Sequence, residues 1–267
     1  MEHYKGNGIY DYLKNNHYTN FFWTSSDKWI VVYGNDKQEP KVVTIISEYT
    51  DESKDVDKKE LNAIALVRSI IKNTDIHINF IRYHADEPLE GVQYWENGEE
   101  GIGAAKILPT ISMDCLRNKF IQHGIIMNGN VTGKAVNDKT SSKYHEWQRE
   151  NMGSDVTISD IDLIRFSNNK VAGIIELKRS VISLEKWEPY EVDFNNFILL
   201  SKLAIKAGIQ FHIAYNYRSK NPIYDDISNI KLFRFDYRME EYYKILGYET
   251  IEQFASEKSI TLAREEI

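Results

Sequence analysis

"ISDIDLIRFSNNKVAGIIELKRS" runs from Ile158 to Ser180. Both halves are rich in apolar and β-branched residues, and the "SNNK" between them (167–170) reads as a turn, because asparagine tolerates positive φ. The stretch therefore reads as an antiparallel hairpin. Its second strand begins as a buried strand should, Val171-Ala172-Gly173-Ile174-Ile175, and then sets Glu176 and Lys178 on one face with only Leu177 between them. By the same alternation Asp160 and Asp162 share a face of the first strand. Register decides whether the two charged faces coincide. An odd loop or a bulge brings Asp162 opposite Glu176, with Cβ atoms about 5 Å apart. A plain two-residue loop turns them away from each other.

Two carboxylates that close repel unless something neutralises them. A hard divalent cation such as Mg²⁺, or Mn²⁺ in its place, suits a few carboxylates together with waters and phosphate oxygens. Such an ion acidifies a bound water and stabilises charge on phosphorus oxygens, and Lys178 stands two residues on to position the water or grip a phosphate. The set amounts to a phosphodiester-hydrolysis site at the tip of an apolar strand.

"DIDLI", twelve further residues and then "ELK" resemble the Asp…(Asp/Glu)-x-Lys signature of the PD-(D/E)xK nuclease superfamily, which includes restriction endonucleases, Holliday-junction resolvases and repair nucleases. The resemblance covers roughly residues 141–217, with helix, acidic hairpin, helix and strand in the family's order. It implies a restriction-endonuclease-like core with a mixed central sheet flanked by helices, and an α/β (α+β) class for the whole. It implies metal binding by Asp162 and Glu176, a catalytic Lys178, and Asp160 as an alternative or added ligand. An acid from the preceding helix, Glu146 or Glu150, also has a family counterpart, although both read equally as solvated helix charges. The chain departs from the pattern in two places: no proline precedes either aspartate, and Asn151 to Ile158 leaves little room for the strand that usually precedes the Asp-bearing one.

Other side chains near this stretch carry two readings each. Arg179 follows the motif and either grips a phosphate or serves the surface. Asn195, Lys202 and Lys206 share a helical face by spacing, as phosphate contacts or as a solvated face. Trp147, Trp187 and Tyr190 are stacking candidates for bases or packing residues. His145 and His212 are not spaced as joint ligands and read as structural.

Working outward, "SSKYHEWQREN" (141–151) reads as a short helix capped by a serine. "EVDFNNFILLSKLAIKAG" (191–208) reads as a helix ended by Gly208, followed by strands at 209–217 and 230–237 and a helix over 238–258 broken at Gly247. Before the hairpin, residues 27–34 and 40–49 read as paired strands, 55–73 and 112–124 as helices, and 76–83 as a strand. "MNGNVTGKAVNDKTSS" (127–142) is the best junction candidate. The expected organisation is a mixed α/β region over 1–126 for recognition or dimerisation, a junction over 127–140 and the nuclease-like core over 141–267. No internal repeat of fixed period is visible.

The bulk numbers set outer limits. The chain has 267 residues, 42% of them hydrophobic, and a formal net charge of -7, which argues against a broad basic coat. Residues 114–267 nevertheless balance 21 Lys and Arg against 22 Asp and Glu, so a local basic groove fits there. The single cysteine, Cys115, excludes an intramolecular disulfide and fits a reducing cytoplasm. No apolar run is long enough to span a membrane. The expected function is a Mg²⁺-dependent DNA endonuclease of the restriction or phage-defence kind, with DNA as partner and a homodimer for double-strand cutting. A nuclease-fold adaptor without activity and a nuclease of RNA or structured DNA remain alternatives.

Overall fold

The computed structural model describes residues 6–24, 27–51, 55–96, 108–128 and 142–263. In chain order its elements are α1 (Gly8–Asn15), β1 (Phe21–Phe22), β2 (Lys28–Gly34), β3 (Pro40–Tyr49), α2 (Lys58–Ile71), β4 (His77–His84), β5 (Gly91–Glu96), β6 (Thr110–Ser112), α3 (Met113–Gln122), α4 (Lys143–Asn151), β7 (Thr157–Asp160), β8 (Leu163–Ser167), β9 (Lys170–Ser180), α5 (Phe194–Lys206), β10 (Gln210–Lys220), β11 (Ile223–Phe235), β12 (Tyr243–Thr250) and α6 (Ile251–Ala255). The class is mixed α and β, as expected. No helix among the described residues is long and apolar enough to cross a membrane.

Two compact units emerge, and their boundaries differ from the expected ones. One is continuous, residues 24–160; the other is discontinuous, 1–23 with 161–267. The expected breaks at 126 and 140 fall within the continuous unit, and most of the expected junction, 129–140, lies outside the described residues. The chain crosses between the units twice, after Trp23 and after Asp160. Residues 158–166 do not form one strand: β7 pairs with β2 in one sheet, and β8 pairs with β9 in the other. Asp160 and Asp162 thus belong to different units.

The discontinuous unit holds the sheet β1-β8-β9-β10-β11-β12, antiparallel throughout except for the parallel pair β9/β10, which α5 connects. One face buries Ile175, Leu163 and Ala214 against Ile9 and Leu13 of α1 and Phe254 of α6. Side chains alternate, so Glu176 and Lys178 take the other face, the one α5 covers. The strand beside β8 comes from far away in sequence: β1, after α1, pairs Phe21 with Arg165. The expected C-terminal helix is instead strand β12 and then α6. Here the Tyr and Ile content of 243–248 follows β-propensity once β11 offers a partner, and Gly247, at φ 138, sits where the register shifts.

The continuous unit repeats this plan without a sequence period. Its order is β7-β2-β3-β4-β5-β6, with β3/β4 as the parallel pair and α2 between them. The helix before the edge strand is α4 and the helix after the last strand is α3. Leu116 and Phe120 of α3 and Tyr144 of α4 pack on one face with Tyr33, Val42 and Ile81, while α2 reaches the other face through Glu60 and Arg82. Each helix, strand and crossover of one unit therefore has a counterpart in the other, in a circularly permuted order.

Candidate active site

The register that the chemistry needs is present, and a bulge creates it. Asn168 and Asn169, both at positive φ, make a two-residue turn, closed by Ser167 opposite Lys170. That turn alone would set Asp162 and Glu176 on opposite faces. Between Arg165/Gly173 and Phe166/Val171 the pairing shifts by one residue, and beyond the shift Leu163 lies opposite Ile175. Extended one residue past the last pair of the ladder, that register would set Asp162 across from Glu176. The Leu177 N–H donates to Asp162 Oδ2 at 2.8 Å, and Tyr10 of α1 donates its hydroxyl to the Asp162 carbonyl at 2.8 Å, fixing the aspartate from both sides.

Lys178 Nζ lies 3.0 Å from Glu176 Oε1 and 3.4 Å from Asp193 Oδ2. It also stands 5.2 Å from the centre of the Phe197 ring. Burial raises the pKa of Glu176, Lys178 opposes that rise and Asp193 adds to it. Burial works against the charge of Lys178, but Glu176, Asp193 and Asp162 outweigh it and hold its pKa well above the ordinary lysine value. Three carboxylates thus share the field of one ammonium, and the Glu176 side chain is only 12% exposed. A partly desolvated site with excess negative charge favours a cation.

Asp193 is the residue that sequence reasoning missed. It closes the 3₁₀ turn Glu191–Asp193 at the start of α5, where an aspartate normally caps the helix with its side chain, yet no such cap bond forms. By local rules it is an ordinary helix-start acid; nothing in its spacing ties it to Lys178.

The remaining expected residues divide cleanly. Glu146 and Glu150 are exposed on α4, and Asp160 is exposed on β7, all in the continuous unit. Arg179 is committed to a structural network: its guanidinium donates to the Gly6 carbonyl and, at 2.7 Å, to Asp225, which also accepts from Arg218 and from the Gly8 N–H. Asn195 and Lys206 are exposed on α5, and Lys202 lies 5.2 Å from the Tyr237 ring centre. Trp187 is buried and stacked on Tyr215 at 4.1 Å, a packing role, whereas Tyr190 is 44% exposed. His145 packs edge-on against Trp29 and bonds to Ser142, and His212 is buried in β10.

Among the described residues no three His, Cys, Asp or Glu side chains form a group that could hold a metal ion. The two donors that the hairpin offers are Asp162 and Glu176, both with hard carboxylate oxygens. That set fits Mg²⁺, which commonly takes one or two carboxylates and completes its shell with water and phosphate oxygens. It does not fit zinc, which wants nitrogen or sulfur ligands.

No family model matches the chain, and no curated protein matches it. Among solved structures the chain is similar to the C-terminal domain of the sex pheromone staph-cAM373 precursor from Staphylococcus aureus, at 10% identity, covering 83% of this chain and 70% of that one with a TM-score of 0.17. A likeness that slight carries no argument.

Proposed function

We propose that this chain is a metal-dependent endonuclease that hydrolyses phosphodiester bonds in DNA, on a PD-(D/E)xK-like core of the restriction or phage-defence kind. The observation that supports the reading is the tip of the bulged hairpin, where the Asp162 carboxylate accepts from the Leu177 N–H at 2.8 Å and Lys178 Nζ lies 3.0 Å from Glu176. The order of the discontinuous unit supports it too: helix α1, edge strand β1, acidic hairpin, α5, and β10 parallel to β9.

Asp162 and Glu176 would hold a Mg²⁺ or Mn²⁺ ion, which when bound acidifies a water and neutralises charge on the phosphorus oxygens. The protein's own contributions are separate. The Leu177 N–H orients the Asp162 carboxylate. Lys178, protonated, binds a phosphate oxygen or orients the attacking water. Phe197 gives the ammonium an apolar floor that limits its hydration. A cut through both strands requires two such sites, hence two copies of the chain.

Incubation with plasmid and Mg²⁺, with and without EDTA, tests the reading. Discrete bands that vanish with EDTA and in Glu176→Ala and Lys178→Ala support it. Retained nucleic-acid binding without any cutting would assign the chain to the adaptors, and RNA cut in preference to DNA would move the substrate.

A further inference from the structure

We infer that Asp193 is a positioning residue for Lys178: it holds the ammonium from α5, so that the lysine stays in place when the oxygens of Glu176 are taken by a cation. The inference rests on the nuclease reading for its purpose, but its geometry stands alone.

The Lys178 ammonium has anchors on two elements. Glu176, two residues back on the same strand, is the nearer at 3.0 Å; Asp193, from the turn that opens α5, is 3.4 Å away. A cation on Glu176 competes with Lys178 for the same oxygens and repels the ammonium, since like charges within a few ångströms disfavour each other. With Glu176 as its only partner, a flexible four-carbon side chain would then swing out to solvent. Asp193 prevents that. Phe197 lies four residues on, on the same face of the helix, with its ring centre 5.2 Å from the ammonium. The first turn of α5 thus supplies both a charged and an aromatic contact to one lysine. The aspartate also forgoes its local role, because it makes no side-chain cap bond on α5. The matching aspartate of the other unit, Asp57, does cap: its Oδ1 accepts from the Glu60 N–H at 2.8 Å. A helix start that gives up its cap in favour of a strand lysine departs from the local rule, and such departures concentrate at functional sites.

The first test needs no metal. Lysine ammonium groups held in ion pairs exchange slowly enough to be seen by ¹⁵N NMR, and the Lys178 signal is identified by its loss in Lys178→Met. Glu176→Ala removes the nearer anchor in the way a bound cation would. The expected result is a Lys178 signal that survives in Glu176→Ala and disappears in Glu176→Ala/Asp193→Asn, with the backbone amide spectrum retained. A signal lost in Glu176→Ala alone, or still present in the double variant, overturns the inference.

The second test is kinetic. Asp193→Asn should lower kcat for plasmid cleavage about tenfold with KM within about twofold, and Asp193→Glu should restore most of it. An equal loss in Asp193→Glu, or a loss confined to KM, overturns the positioning role. If the wild type cuts nothing while the NMR result holds, the nuclease reading fails and the anchoring of Lys178 by Asp193 stands.

Discussion

The two units share one scaffold and differ at one corner. In each, a parallel strand pair is joined by a crossover helix, and the hairpin strand reaches its carboxyl end beside the start of that helix. In the continuous unit this corner holds Lys28 opposite Ser47, Arg82 beside them on β4, and Asp57 and Glu60 from α2. Each base has its own acid there: Lys28 pairs with Asp27 at 2.8 Å and with Asp57 at 3.3 Å, and Arg82 with Glu60 at 2.8 Å. Arg82 also donates to Gln93 and to the Asp55 carbonyl, and it lies over the Tyr49 ring. In the discontinuous unit the same corner holds Asp162, Glu176 and Asp193 around Lys178 alone. A cluster in which each base is paired with a carboxylate of its own reads as structural. A cluster with more carboxylates than ammonium groups is stabilised by an added cation. Identical folds therefore differ in chemistry through a few side chains.

The largest effect that would break this contrast is catalytic. Glu176→Ala and Lys178→Met should each lower cleavage about 10³-fold or more, with the urea midpoint unchanged or raised in Glu176→Ala, which relieves repulsion among carboxylates, and lowered in Lys178→Met, which leaves them without their ammonium. A variant at either position that unfolds the protein while its folded fraction cuts normally would make this corner structural like the other one.

The converse holds in the continuous unit. Arg82 and Glu60 are nearly completely buried, at 2% and 1% side-chain exposure. Removing one partner leaves an unpaired buried charge, so Glu60→Ala should cost about 3–5 kcal/mol. Replacing both, as Glu60→Leu/Arg82→Met, should recover most of that. Urea denaturation of the three variants decides the matter, and a Glu60→Ala that costs less than about 1 kcal/mol would remove the distinction between the corners.

Acid should separate the units more gently. Burial, with Arg234 and Arg165 adding to it, lowers the pKa of His212 to about 3 in the discontinuous unit; burial and Arg149 lower that of His145 to about 4 in the continuous one. The native state refuses protons that the unfolded chain accepts below its ordinary value of about 6.5. Stability is thus lost as pH falls from about 6.5 toward those values, and recovered as pH rises. The window is deeper for His212, so amide protection in β10, taken relative to intrinsic exchange at each pH, should fall more than in α4 between pH 6.5 and 4. His212→Gln should flatten the first slope and leave the second. Equal loss of protection in both elements would show that these histidines do not control the acid response.

How much was legible follows from which interactions are local. The hairpin, α2, α3, α4 and α5 stand in the sequence as periodicity, turn residues and caps, and the charged strand tip stands out because it breaks an apolar run. The sequence shows that an odd loop or a bulge is needed but does not choose between them, because no residue type marks Ala172 as the extra one. The pairing of Phe21 with Arg165 is two residues long and spans 144 positions of chain, so no window contains it, and α1 in its polar surroundings gives a weak signal. The spacing of β12 reads as a helix, but its partner β11, not that spacing, decides its conformation. The role of Asp193 was hidden for the same reason: its ion pair lies across the fold.

The smallest prediction sets those two aspartates against each other. Asp57 and Asp193 occupy corresponding places, each at the start of a crossover helix. Asp57 makes a capping box with Glu60, whose Oε2 accepts from the Asp57 N–H at 2.6 Å, so Asp57→Ala should cost about 1 kcal/mol of stability. Asp193 caps nothing, and its loss removes only a favourable interaction with the helix dipole and a part-exposed ion pair, while it relieves repulsion with Glu176. Asp193→Ala should therefore shift stability by less than about 0.5 kcal/mol even as it slows cleavage. Paired urea titrations read the difference directly. Equal costs at the two sites would mean that Asp193 serves its helix after all, and the asymmetry between the corners would then lie in Asp162 and Glu176 alone.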